Sequence, residues 1–369
     1  MPPRKILAYL LFGPRAEYRT ELAFSALSAL RLASDRSALT VCVVTDQPGC
    51  VSLPSLEWLP VTQAELAEWT LHGSNNFRAK PLALLRVLAH YDAPAVLTDT
   101  DTVFTGDPLR LFDRISTSES LMHSSDGYRI GESQLWAPIM PLVDTIAQET
   151  NPAVPLSRSS EMLNSGAIGV HPENAALLER SIPLMDRLYA HTPIFNIEQF
   201  AIGAALQSKT RVNSCADLID HYWGYRRPFI HLRAGHFLEG SQSLSETEQA
   251  VQSGHVETGL PSISAFDRLL TRLRGTLGNW GGDYRFAYLA SRAALTAAPR
   301  DPQIASLWAA TALSSLQRSL PSETTERTLR IKRINRARTD FRAFCEPALD
   351  QLVWLSPQVR ASWSTLWNA

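Results

Sequence analysis

Two aspartates stand two residues apart in the stretch Val96-Leu97-Thr98-Asp99-Thr100-Asp101-Thr102-Val103-Phe104. An apolar run of strand length leads in, and a shorter one leads out. Residues i and i+2 of a strand share a face. Where such a strand ends and the chain bends, the two carboxylates can converge on one divalent cation, the second of them directly or through water. Hard oxygen donors suit Mg²⁺ or Mn²⁺, ions that complete their shell with substrate phosphates. The same triplet is also an ordinary turn and cap pattern, so its surroundings have to decide.

Four other stretches carry polar groups that suit phosphates, sugars or a metal. Ser74 to Pro81 places Arg78 and Lys80 at the entry to a helix. A guanidinium fork there matches phosphate oxygens in pairs. Leu163-Asn164-Ser165-Gly166 opens an apolar run with small polar groups, and its glycine permits close backbone approach. Asn196-Ile197-Glu198-Gln199-Phe200 puts a carboxylate and an amide at a helix start. In His221-Tyr222-Trp223-Gly224-Tyr225-Arg226-Arg227-Pro228-Phe229, a histidine precedes a glycine, a cation and a proline. Two carboxylates and an imidazole form a donor set that Mn²⁺ accepts. His231 and His236 lie a short way downstream, and either is open as the third ligand.

Together with Gly106-Asp107-Pro108 and Leu111-Phe112, the aspartate stretch resembles the metal-binding segment of retaining glycosyltransferases with the GT-A fold. The nearest pattern is that of the glycogenin and galactosyltransferase-like family, family 8: Leu-Asp-x-Asp-Thr, a short strand, Gly-Asp, then Leu-Phe. Thr98 stands where that family has an apolar or other small residue. Asn164 to Gly166 is similar to the family's Asn-Ser-Gly segment, and Glu198-Gln199-Phe200 to its Asp-Gln-Asp. His221 to Phe229 is similar to its His-x-x-Gly-x-x-Lys-Pro-Trp. Phe200 in place of the second Asp, and Gly203 in place of a downstream Asn, bear on which sugar is carried. Arg227 in place of Lys keeps the charge.

The resemblance implies a fold and a site. The fold is α/β, the GT-A (nucleotide-diphospho-sugar transferase) fold, with a mixed, mainly parallel sheet, followed by a helical C-terminal region. Asp99, Asp101 and His221 would hold Mn²⁺ (or Mg²⁺). Asp46, Arg78, Lys80, Asp99, Ser165, Gly224 and Arg227 would bind the donor. Asn164, Glu198 and Gln199 would line the reacting sugar, with the backbone of Gln199 along its other face. The donor implied is a UDP-sugar, and a hexose would pass with retention to a hydroxyl of a glycan, a lipid-linked glycan or a protein.

The elements that must position these groups can be read from the apolar pattern. Ile6 to Phe12 is a continuous apolar run bounded by Gly13-Pro14, as in a strand buried on both faces. Leu22, Ala23, Ala26, Leu27 and Leu30 recur at helical spacing within 17–33, and 39–44 is a second apolar run. Strand, helix, strand makes a βαβ unit whose ligand crevice lies beyond the strand ends, near Asp46 and the loop after Phe12. A short strand at 56–61, a helix from Pro81 to Tyr91 and a strand leading into Asp99 come next. Leu121-Met122-His123 reads as a strand ending in a turn at 124–127, and 128–160 as a long insertion over the site.

Three stretches of chain are expected: a nucleotide-sugar domain over 1–236, a linker or excursion over 237–263, and a helical region over 264–369. Phe266, Leu269, Leu270 and Leu273 begin the last with a helical period. Seven cations between Arg327 and Arg342 interleave with Ile331, Ile334, Phe341 and Phe344. That pattern suits a peripheral membrane contact or a solvated helix face.

Composition excludes several classes. The 369 residues are 45% hydrophobic and 19% charged, with a formal net charge of −1, so no global field favours nucleic acid. The four cysteines show no metal-type spacing, and a reduced, cytoplasmic setting is expected. No stretch reaches the roughly 18 apolar residues of a membrane span. The N-terminal apolar run has no small-residue cleavage site after it. Two other classes compete. A sugar-nucleotide nucleotidyltransferase needs a Gly-rich basic loop after the first strand, where Gly13-Pro14-Arg15 is sparse. A non-catalytic scaffold has no need of a complete Asp, Asp, His set.

Overall fold

The computed structural model describes residues 4–149, 157–191, 194, 196–297 and 299–318. The chain divides into two compact units: one of Met1–His221 with Gly240–His255, the other of Tyr222–Glu239 with the rest of the chain from Val256. This division is interleaved, unlike the three consecutive stretches expected. The helix just after the histidine motif enters the second unit, and the expected excursion lends a helix to the first.

The first unit is built on a seven-stranded sheet. Its elements are β1 (Lys5–Leu11), α1 (Ala16–Leu32), β2 (Leu39–Thr45), β3 (Leu56–Pro60), α2 (Gln63–Trp69), α3 (Ala79–Tyr91), β4 (Ala95–Thr98), β5 (Thr102–Phe104), β6 (Glu119–Arg129), α4 (Met140–Glu149), β7 (Glu161–Val170), α5 (Ala175–His191), α6 (Ile197–Gln207), β8 (Arg211–Ser214) and β9 (Ile219–His221). The strand order is β3-β2-β1-β4-β7-β6-β8, with β7 antiparallel to both neighbours and the other pairs parallel. The expected mixed, mainly parallel α/β architecture is thus present, as is the helical region after it. β1 is buried between β2 and β4, which explains its unbroken apolar run. α3 lays Leu84, Val87 and Leu88 into the core with Ala8, Leu97 and Ile168.

The structure corrects two sequence expectations. No turn ends the strand at 124–127; β6 continues to Arg129 with register shifts against β7. Asp126-Gly127 reads locally as a turn, but pairing with a long antiparallel neighbour carries the strand through, and Gly127 takes φ +77° there. Nor are the described residues of 128–160 only an insertion over the site. Ile130, Trp136, Ile139, Met140, Val143 and Ile146 form a core cluster with Met185, Leu188, Phe200 and Ala201. Trp136 meets Phe200 edge-on at 4.7 Å between ring centroids. The phenylalanine at the family's aspartate position is therefore a core residue.

After β9 the chain enters the second unit with α7 (Arg227–Gly240), and α8 (Glu246–Ser253) returns to the first. The second unit then adds α9 (Ala265–Leu277), α10 (Gly282–Ala297) and α11 (Pro302–Arg318). Its core joins Phe229 to Tyr284, Tyr288, Leu307, Trp308 and Leu313, with small alanines between α10 and α11. The basic segment 327–344 lies outside the described residues. No described helix is long and apolar enough to cross a membrane.

Candidate metal centre

β4 ends at Thr98, and the chain turns through Asp99, Thr100 and Asp101 before entering β5. The turn is anchored on β7: Asp99 N–H and Thr98 Oγ1–H both donate to the Gly166 carbonyl, at 2.9 and 3.1 Å. β5 pairs with β9 so that Thr102 stands opposite His221. The sheet and the ribbon thereby bring the two aspartates and the histidine together. One ligand atom from each of Asp99, Asp101 and His221 lies within 4.8 Å of the others. His221 Nε2 is 3.4 Å from Asp101 Oδ1 and 3.7 Å from Asp99 Oδ2.

The histidine's tautomer is set by its neighbours. Asn164 Oδ1 accepts from Gly166 N–H at 2.9 Å, while its amide nitrogen donates to Asp126 Oδ1 at 3.3 Å. These two bonds fix the amide's orientation. The same oxygen lies 2.9 Å from His221 Nδ1, so Nδ1 carries the proton and donates. Nε2 faces the two carboxylates, and in the neutral ring it carries the lone pair that a metal ligand requires. Gly166 makes room for the ring: a Cβ there would lie 2.2 Å from His221 Nδ1. The glycine's close approach is thus to the imidazole.

Lys80 reaches the same place from α3. Its Nζ donates to Asp99 Oδ2 at 2.8 Å and to Ser165 Oγ at 3.2 Å. Burial works against the ammonium, but Asp99, Glu198 and Asp101 together hold its pKa above the ordinary lysine value. Glu198 behaves otherwise. Burial pushes its carboxyl upward, against Lys80 and the Ser165 hydroxyl, and its Oε2 has no hydrogen-bond partner among the described residues. Lys80 is 3.8 Å from Glu198 but 2.8 Å from Asp99. The closer carboxylate does most to hold the ammonium's charge.

Two groups that sequence reasoning missed complete the cluster. Asp126, expected in a turn, accepts from Gln199 Nε2 at 2.8 Å as well as from Asn164. It thereby orients both. α1 supplies the other. Its residues Glu21, Ser25 and Ser28, at helical spacing i, i+4 and i+7, are buried beneath the aspartate turn. Thr100 Oγ1–H donates to Glu21 Oε2 at 3.2 Å. Ser25 Oγ lies 2.8 Å from Thr102 Oγ1 and 2.9 Å from Tyr9 Oη, and Ser28 Oγ accepts from Phe104 N–H at 2.9 Å. In sequence these are ordinary helix polar residues; only the tertiary partner distinguishes them.

The remaining expected residues have other partners or belong to the second unit. Arg78 forms a paired contact with Asp186 of α5, at 2.7 and 3.1 Å, and is not brought to the aspartates. Asp46 comes directly after β2, where Gln47 Nε2–H donates to its Oδ1 at 3.4 Å and to the Gly13 carbonyl at 3.2 Å. Asp46 and the loop after β1 therefore share one edge. Gly224, at φ +77°, opens the short turn before α7, and Arg227 begins that helix. Both belong to the second unit, as do His231 and His236 of α7. Among the described residues, the histidine grouped with the two aspartates is His221. Beside Glu198 lies a cavity of about 180 Å³, walled by Asn75, Phe77, Tyr189, Ile194 and Ile197.

No protein-family model matches the chain, and no curated protein matches it. Among solved structures, mouse xyloside xylosyltransferase 1 in its apo form aligns at 14% identity and a TM-score of 0.37, over 58% of this chain and 86% of that one. The apo structure of the bifunctional glycosyltransferase WbbM aligns at 14% identity and a TM-score of 0.39, over 58% of this chain and 39% of that one. Likeness at this level bears no functional weight, which falls on the residues of the site.

Proposed function

We propose that the protein is a metal-dependent glycosyltransferase that moves a hexose from a nucleotide-diphosphate sugar, a UDP-sugar, to an acceptor hydroxyl with retention. The observation that carries this reading is the convergence of Asp99, Asp101 and a tautomer-fixed His221 at the end of β4. Two carboxylate donors and one imidazole suit Mn²⁺, and Mg²⁺ less well. When bound, such an ion neutralises charge that builds on the departing diphosphate.

The chain's own groups bind, orient and hold charge around that step. Lys80 adds a fixed positive charge beside the leaving phosphate, oriented by Asp99 and Ser165. Asn164 keeps the proton on Nδ1 of His221. Asp126 holds the Gln199 amide against the sugar, and Glu198 faces its hydroxyls. Asp46 supplies a carboxylate for the nucleoside. The new bond forms between the acceptor oxygen and the anomeric carbon as the bond from that carbon to the phosphate oxygen breaks. The leaving phosphate oxygen takes the acceptor's proton, so no separate base is required.

The test is a thermal-shift panel of UDP, GDP and CDP, each with and without Mn²⁺, on the wild type and Asp101→Ala. A ligand at about 100 times its dissociation constant stabilises a fold by about 2.7 kcal/mol. A shift with UDP and Mn²⁺ together, lost in Asp101→Ala, is expected. A shift with another nucleotide changes the donor, and no shift with any nucleotide overturns the reading.

A further inference from the structure

α9 is turned the wrong way round for a helix of a water-soluble unit. Its polar and small residues Asp267, Thr271 and Gly275 are buried. Asp267 takes the Arg292 guanidinium and the Ser264 hydroxyl, and the Gly275 carbonyl accepts from Arg285 at 3.0 Å. The opposite face is apolar and open. Phe266, Leu269, Leu273 and Leu277 are 67, 57, 54 and 89% exposed, and Leu270 beside them is half-buried. At spacings of three, four, seven and eleven, these residues form one continuous stripe. A stripe of large apolar side chains in water is costly unless something covers it.

The charges beside the stripe indicate what does. Arg272 flanks it and is exposed, Arg268 is exposed further round the helix, and Arg274 stands on the other side, its guanidinium donating to Tyr288 Oη at 2.9 Å. The helix's one acid, Asp267, is buried, so the open face offers no carboxylate. We infer that α9 lies on a lipid bilayer bearing anionic headgroups, its leucine stripe in the acyl boundary and its arginines at headgroup level. Two other occupants fit less well. A second copy of the chain, paired through the same face, would meet these arginines with no acid from its own α9. The segment between Arg327 and Arg342 carries seven cations of the same sign. The helix is too short to cross the membrane and suits lying in its surface.

The experiment is sedimentation of the full chain with vesicles of phosphatidylcholine alone and of phosphatidylcholine with phosphatidylglycerol. Wild type is expected to partition onto the anionic vesicles and little onto the neutral ones. Leu269→Glu with Leu273→Glu should reduce that partition by about tenfold or more, and Arg268→Gln with Arg272→Gln by a few-fold, with a weaker dependence on salt. All variants retain 327–342, so binding that persists in the leucine pair overturns the inference in favour of that segment. A wild-type dimer that the leucine pair converts to monomer overturns it in favour of a second copy. Hydrogen exchange on the wild type needs no substitution. Amides of 266–277 should slow when anionic vesicles are added, and unchanged exchange there overturns the inference.

Discussion

The aspartate turn with its supporting helix α1, and α9 in the second unit, both bury polar side chains, to opposite ends. α1 is buried on all sides over its middle, and its Glu21, Ser25 and Ser28 each meet a group on the turn or on β5. Those bonds hold the backbone that carries Asp99 and Asp101. α9 buries Asp267 and Thr271 in order to dock, and leaves its apolar residues outside. Buried polarity in the first region fixes a geometry; in the second it leaves a greasy surface available. A polar residue inside a helix therefore says little until its partner is known.

The largest test of the contrast is Asp267→Ala. It leaves the Arg292 guanidinium without its carboxylate and removes the Ser264 contact, and should cost about 3 kcal/mol or more by denaturant melting. A near-zero cost would mean that α9 is not held by its polar face. Gly166→Ala comes next. The added methyl must displace His221, so a loss of about 1–3 kcal/mol is expected. Calorimetric titration should also show Mn²⁺ affinity falling about 10- to 100-fold. Unaltered affinity would remove His221 from the metal set. Ser25→Ala strips a partner from buried Tyr9 and Thr102 and should cost about 1–2 kcal/mol, with weaker nucleotide-dependent thermal shifts.

Glu198 gives a pH signature. Its carboxyl pKa is raised by burial, so the folded protein holds a proton that the unfolded chain has released. Without added metal, stability should therefore fall as pH rises from the ordinary glutamate value to the raised one. Glu198→Gln should flatten that part of the stability–pH curve, and an unchanged slope would show that another group is responsible. The smallest effect expected is that of Leu273→Ser on the open face of α9: within about 0.5 kcal/mol in the absence of vesicles. A larger loss would show that the stripe is covered within the protein itself.

Much of the first unit is legible in the amino-acid order alone. Unbroken apolar runs at β1, β2 and β4 mark strands flanked on both sides, and the i, i+2 aspartates mark the end of one of them. His221 is legible through the glycine, cation and proline at fixed spacing after it. Asp126 is not, since Asp-Gly signals a turn locally and the strand that overrides it is formed with residues far along the chain. Trp136 is hidden likewise in a polar-looking stretch whose apolar partners come from α5 and α6. For α9 the period is legible and its direction is not. Periodicity finds a stripe but cannot say whether a core or the outside lies against it.

The β5–β9 ribbon sets Thr102 against His221, so two of the candidate ligands flank the mouth of a very long loop. That loop contains β6, α4, β7, α5 and α6. A cation gripping Asp101 and His221 would act on it as a drawstring, closing it at the neck whatever its length. Closure entropy grows only with the logarithm of loop length. Inserts could therefore accumulate in α4 or in its connections without loosening the knot, and the surface around the aspartate turn could be remodelled while the grip on the cation stayed the same.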